Sequence, residues 1–195
     1  MKAEQKLSAE HRVRARLIRK VSESTALSRT MRKAVRVLAE GNIPSLVVGG
    51  YAVQERGYAR FTSDVDLVVP NVALARERLA LNGFRENAGS TMTVTDRISK
   101  VEVDLLPGGA SVGPGPLLLP IPTTVSSTPT IADLRTLIEI KLSSYLGSPI
   151  SRTQDLADVI ALIKANRLPE DFALDPAVVP KYLETWRGLK QEENR

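Results

Sequence analysis

Residues 47–67 read VVGGYAVQERGYARFTSDVDL, and the fold turns on how the two ends of this stretch relate. Ser45–Val48 is a short run that Gly49-Gly50 breaks, and Asp64–Val69 is a longer one that Pro70 ends. Both read as strands, with one or two helical turns over Tyr51–Arg56 between them. Neighbouring side chains of a strand point to opposite faces, so Asp64 and Asp66 share one face while Val65 and Leu67 enter the core. Two carboxylates placed this way repel, and each raises the other's pKa unless a cation stands between them. The pair reads as a metal site.

Further along, Val101, Val103 and Leu105 alternate with Glu102 and Asp104. If that strand lies beside Asp64–Val69, Asp104 joins the pair and three aspartates converge. Such a site suits two Mg²⁺ or Mn²⁺ ions, one activating an attacking hydroxyl and the other clamping a triphosphate. Glu102 shares the face but sits about 6.6 Å further along, which makes it a surface or supporting residue. Gly49-Gly50, at a strand-to-helix junction, lets the backbone approach a phosphate with helix N-terminal amides aimed at it.

The surrounding chain alternates in type. Residues 1–22 read as a basic helix with Val13, Leu17, Ile18 and Val21 on one face. A second helix carries Leu27, Met31, Ala34, Val35 and Leu38 and stops at Gly41-Asn42. Asn71 caps a helix over Val72–Leu81 that closes at Asn82-Gly83. Thr91–Thr95 and Lys100–Leu106 are expected to pair around a turn at Asp96–Ser99. Gly108–Pro122, rich in Gly and Pro, reads as loop with one edge strand. Amphipathic helices follow over Asp133–Leu146 and Thr153–Lys164, and a last one over Pro176–Lys190 carries Trp186 and Tyr182 as packing residues. The order predicts a mixed α/β (α+β) fold: a small mixed sheet flanked by helices, with helical N- and C-terminal parts. It divides into a basic extension (1–24), a core (25–168) and a C-terminal helix packed on that core (169–195).

Composition narrows the chemistry. There is no cysteine, which removes disulfides, thiolate metal sites and cysteine nucleophiles together. The single histidine, His11, lies in a basic polar stretch and reads as a surface residue. Any metal must then be held by oxygen, as magnesium, manganese or calcium are. Residues 1–40 carry 11 Lys and Arg against 4 Glu, a net of +7, while the rest of the chain is at −2. That asymmetry suggests attraction to polyanions such as RNA. No apolar run approaches the roughly 20 residues of a membrane-spanning helix. The charged N-terminus does not read as a signal peptide, so a cytoplasmic protein without a membrane partner is expected.

The Gly-Gly pair, the thirteen-residue spacing and the Asp-x-Asp together resemble the signature of the nucleotidyltransferase (DNA polymerase β-like) superfamily. Arg60-Phe61-Thr62-Ser63-Asp64-Val65-Asp66-Leu67 is similar to the Arg-x-Thr-x-Asp-hydrophobic-Asp-Leu form of the AbiEii and MenT kind of bacterial nucleotidyltransferase toxins. Ile138-Glu139-Ile140-Lys141-Leu142 and Arg152-Thr153-Gln154-Asp155-Leu156-Ala157-Asp158 extend the resemblance, which spans about residues 30–165. It implies transfer of an NMP from an NTP such as ATP, with release of pyrophosphate. Gly49 and Gly50 would hold the triphosphate, and Asp64, Asp66 and Asp104 the metals. Lys141 would face the phosphates, and Asp155 would orient Lys141 or meet the acceptor. Arg60 would brace the loop or contact phosphate, and Ser63 or Thr62 would supply the hydroxyl that many members carry at the second glycine. For the acceptor, the toxin-like motif and the basic N-terminal region point to a tRNA 3′ end, with a cognate antitoxin as partner. A protein hydroxyl or an aminoglycoside-type antibiotic is the alternative acceptor. The alternative from another class is a catalytically silent module that binds nucleotide, RNA or a partner protein.

Overall fold

The computed structural model describes residues 25–193, so the expected basic helix over 1–22 and His11 lie outside the described residues. A five-stranded sheet, in the order β1-β2-β5-β4-β3, runs through the middle of the molecule. Its strands are β1 (Leu46–Val48), β2 (Asp64–Val69), β3 (Phe84–Glu86), β4 (Thr93–Asp96) and β5 (Glu102–Pro107). Only the β2–β5 pair is parallel; β1–β2, β3–β4 and β4–β5 are antiparallel. The helices are α1 (Ala26–Glu40), α2 (Gly49–Glu55), α3 (Val72–Ala80), α4 (Leu134–Gly147), α5 (Thr153–Asn166) and α6 (Val179–Glu193). A mixed sheet flanked by helices, with a helical C-terminal part, is the architecture the sequence pattern predicts.

Local chemistry sets the boundaries. The Thr25 hydroxyl accepts from Ser28 N at the start of α1, and Asn71 and Asp133 do the same for α3 and α4. Strand alternation then sorts the sheet. Val47, Val65, Leu67, Val103, Leu105, Val94 and Phe84 face α1 and α3, in one buried cluster with Met31, Val35, Leu38 and Leu79. The opposite face changes character along its length. Leu46, Val48, Val68 and Leu106 pack beneath α4, α5 and α6 with Leu137, Leu142, Leu162 and Tyr182. Asp64, Asp66 and Asp104 lie on the same face, beyond the edge of that apolar cluster. The polar end is where the site forms.

Three expectations need correction. β3 is a strand the sequence pattern does not reveal, since three residues with one buried side chain, Phe84, are too few to show alternation. Gly108–Pro122 makes only an isolated bridge between Ser111 and Leu118 rather than an edge strand. Six prolines and glycines within 107–115 leave too few free N–H groups and too little side chain to sustain a ladder there. Gly49-Gly50 does not merely break β1: the pair forms the first turn of α2. Trp186 packs at the edge of the core and donates through Nε1 to the Leu168 carbonyl, 2.9 Å away.

Candidate active site

The three aspartates arrive together because β2 and β5 run parallel and in register, with Asp66 opposite Asp104 and Asp64 opposite Glu102. Each is oriented by a neighbour. Thr62 Oγ1 donates to Asp64 Oδ1 at 2.9 Å, and Thr93 Oγ1 on β4 donates to Asp104 Oδ1 at 2.7 Å. Asp66 stands between the other two. Burial, reinforced by the charges of Asp64 and Asp104, pushes its pKa up to about 6, against the smaller opposing pull of Lys141 and of the Gly50 amide. Burial is the leading cause, and the neighbouring carboxylates add to it.

The glycine pair is fitted to these carboxylates. Gly49 has φ +64, and a β-carbon there would stand 1.7 Å from Asp66 Oδ2. At Gly50 a β-carbon would stand 2.5 Å from Thr62 Oγ1 and 2.8 Å from Arg60 Nη2. The Gly50 amide lies near enough to Asp66 to offset a little of the rise in its pKa. Gly49→Ala therefore combines about 1–2 kcal/mol of left-handed backbone strain with a collision that must displace Asp66. The expected result is a lower melting temperature and loss of any nucleotide-induced stabilisation, both read in one thermal-shift series.

The opposite wall comes from α4 and α5. Lys141, only 7% exposed, lies 2.6 Å from Asp155 and 2.9 Å from Asp158. Asp158 is fully buried and is also met by Arg60: Nη2 donates to Oδ2 at 3.2 Å, and Nε lies 2.8 Å from Oδ1 without hydrogen-bond geometry. Gln154 Nε2 donates to the same carboxylate at 3.0 Å. Arg60 is anchored further by Nη1 donating to the Phe61 carbonyl, and its own carbonyl accepts from Gln54 Nε2.

Between the walls lies a polar cavity of about 260 Å³. It is lined by eight of the residues singled out from sequence, namely Gly49, Gly50, Arg60, Thr62, Asp64, Asp66, Lys141 and Asp155, together with Ser151, Arg152 and Gln154. Asp104 is not in the lining, but stands beside Asp66 on the next strand. Ser63 is exposed and outside the lining, and the hydroxyl that faces the cavity belongs to Thr62. The alternation of an extended chain explains the exchange, since Arg60, Thr62 and Asp64 turn inward and Ser63 outward. Sequence reasoning missed Thr93 altogether; its register opposite Asp104 is the signal that identifies it.

All the candidate ligands are oxygen donors, which suits a hard divalent cation, and such a cation would relieve the burial and carboxylate crowding that raise the Asp66 pKa. Among the described residues, however, no three His, Cys, Asp or Glu side chains are drawn close enough to hold an ion as they stand. The donor chemistry fits a metal, and binding would have to pull the carboxylates inward.

No family model matches the chain, and no curated protein matches it. Among solved structures, the chain is similar to the solution structure of the antibiotic-resistance factor ANT(2'')-Ia, with 15% identity and a TM-score of 0.45 over 83% of this chain and 91% of that one. It is also similar to the crystal structure of ANT(2'')-Ia in complex with adenylyl-2''-tobramycin, with 14% identity and a TM-score of 0.47 over 81% and 95% of the respective chains.

Proposed function

We propose that this chain is a metal-dependent nucleotidyltransferase that moves an NMP from an NTP to an acceptor hydroxyl or phosphate. The supporting observation is the pairing of Asp66 with Asp104 on parallel strands, across a polar cavity from Lys141 and Arg60. Carboxylates on one wall and cations on the other divide a metal-bound triphosphate between them. Asp64, Asp66 and Asp104 would hold two Mg²⁺ or Mn²⁺ ions. When bound, these would supply Lewis-acid activation of the acceptor oxygen and neutralise the phosphates.

The chain's own residues act around that centre. Thr62 and Thr93 fix the carboxylate rotamers of Asp64 and Asp104 through the two hydroxyl bonds described above. The acceptor oxygen attacks the α-phosphorus in line, the α–β phosphoanhydride bond breaks, and pyrophosphate leaves. The acceptor proton passes to the carboxylate side or to solvent. Lys141 and Arg60 meet the charge that builds on the departing oxygens, which is where fixed cations accelerate the step most. Lys141 must first exchange Asp155 for phosphate, and Asp155 then faces the cavity free to orient an acceptor.

A tRNA 3′ end is the acceptor this reading favours. Its support is the net charge of +7 over residues 1–40 and the toxin-like motif, which would also bring a cognate antitoxin. Phosphate contacts from that region would weaken steeply with added salt, so deleting residues 1–22 should lower turnover on tRNA and leave a small-molecule acceptor unaffected. An aminoglycoside-type antibiotic or a protein hydroxyl is the other acceptor class. Among the described residues no helix is long and apolar enough to cross a membrane.

The first test is thermal stability with Mg²⁺, with each NTP plus Mg²⁺, and with neither. A ligand at a hundredfold excess over Kd adds about 2.7 kcal/mol, and the shift should require metal and name the base. Absence of a shift with every NTP would sink the nucleotidyltransferase reading. Binding without transfer to tRNA, protein or aminoglycoside would leave a silent binding module.

A further inference from the structure

Asp158 is the one carboxylate of the site cut off from both solvent and the cavity: its side chain is 0% exposed and it is not among the cavity-lining residues. Yet it holds two of the three cations that line the cavity, Arg60 at 2.8 Å and Lys141 at 2.9 Å, the third being the exposed Arg152. Asp155 differs. It lines the cavity and contacts Lys141 but not Arg60, at 2.6 Å. An anionic ligand entering the cavity can take Asp155's place on Lys141, because Asp155 can turn to the water and ligand in front of it. It cannot take Asp158's place, since a fully buried carboxylate that loses a partner keeps an uncompensated charge.

We infer that Asp158 is a positioning residue that fixes the spacing of Arg60 and Lys141 so that both reach the phosphates of one bound triphosphate. The inference rests on the nucleotidyltransferase reading above and deepens it. Arg60 and Lys141 come from elements 81 residues apart in the chain, a loop and α4, and a single carboxylate on α5 sets how far apart their charges lie. The hold extends to the metal side. Arg60 belongs to the same extended loop as Thr62, whose hydroxyl orients Asp64. Arg60 Nη2 also sits against Gly50, whose chain neighbour Gly49 packs directly against the Asp66 carboxylate. Asp158 thereby ties the phosphate-facing wall to the carboxylate wall. A triphosphate engages both cations and a monophosphate only the nearer part of the site, so the residue's signature is preference for NTP over NMP.

The experiment titrates the full chain with each NTP and the matching NMP in the presence of Mg²⁺, well below the melting temperature. Wild type should bind an NTP at least tenfold more tightly than its NMP. In Asp158→Asn the NTP Kd should rise at least tenfold while the NMP Kd moves less than threefold. A purely structural residue would lower the melting temperature and leave that ratio unchanged, and a folded variant with the wild-type ratio overturns the inference. Asp158→Glu keeps the charge, shifts the cations by one methylene, and decides the matter in the same way where asparagine does not fold. Failure of wild type itself to bind any NTP counts against the nucleotidyltransferase reading instead.

Discussion

Asp66→Asn is expected to abolish nucleotidyl transfer and, in metal-free buffer above pH 7, to make the protein more stable. The gain follows from the pKa of about 6 in the folded state against an ordinary 3.8. The folded state binds the proton more tightly than the unfolded chain, so stability from this group is present below the ordinary pKa and is lost as pH rises through the folded one. Two pKa units correspond to roughly 3 kcal/mol, nearly all of it lost by pH 7. Asparagine keeps the shape of the side chain and carries no charge, so it escapes the loss. For a chain of this size that is on the order of 6–12 °C in melting temperature. The difference between variant and wild type should shrink toward zero at pH 4, and Mg²⁺ should narrow it by stabilising wild type alone. A variant no more stable than wild type at pH 8 without metal would mean that Asp66 is not under charge stress in the folded protein. Gain of stability with loss of activity is the pattern of a carboxylate kept buried and crowded for a ligand's sake.

Lys141→Met should act in the opposite sense on stability. Methionine nearly fills the volume but leaves Asp155 and Asp158 without their shared cation in a region where their side chains are 12% and 0% exposed. Removing one partner of a buried pair costs about 3–5 kcal/mol, chiefly because the surviving charge is stranded. Arg60 remains to Asp158, which places the cost toward the lower end. Adding Asp155→Asn should restore part of the loss, because it removes one of the two stranded charges. Chemical denaturation of the single and double variants measures this coupling directly. If the double variant is no more stable than Lys141→Met alone, Asp155 and Lys141 are not an energetic pair. On the same reading the transfer rate falls by about 10²–10³-fold in both, since the phosphate-facing charge is gone from each.

The strand alternation of Asp64–Val69 and Val101–Leu106 was open to reading because period two is a local property. Each strand needs only its own neighbours to decide which side chains are apolar. Helix phases were legible on the same ground, as in α1, where Met31, Ala34, Val35 and Leu38 are all buried. β3 was hidden because a three-residue strand has no period to display. Ser63 and Thr62 were not separated, since the sequence does not show that the extended alternation of β2 continues back through the residues before Asp64.

By itself, then, the sequence determined which residues could be ligands, that any metal must be bound by oxygen, and which face of each strand would carry the carboxylates. Tertiary structure alone decided that β5 passes over its hairpin partner β4 on one side and lies parallel to β2 on the other, which sets Asp104 beside Asp66. It also decided that Arg60 meets a carboxylate 98 residues away and that Gly49 packs directly against Asp66. The reason is that register and long-range pairing are fixed by burying the apolar face against α1 and α3, an energy spread over many side chains and written in no single stretch.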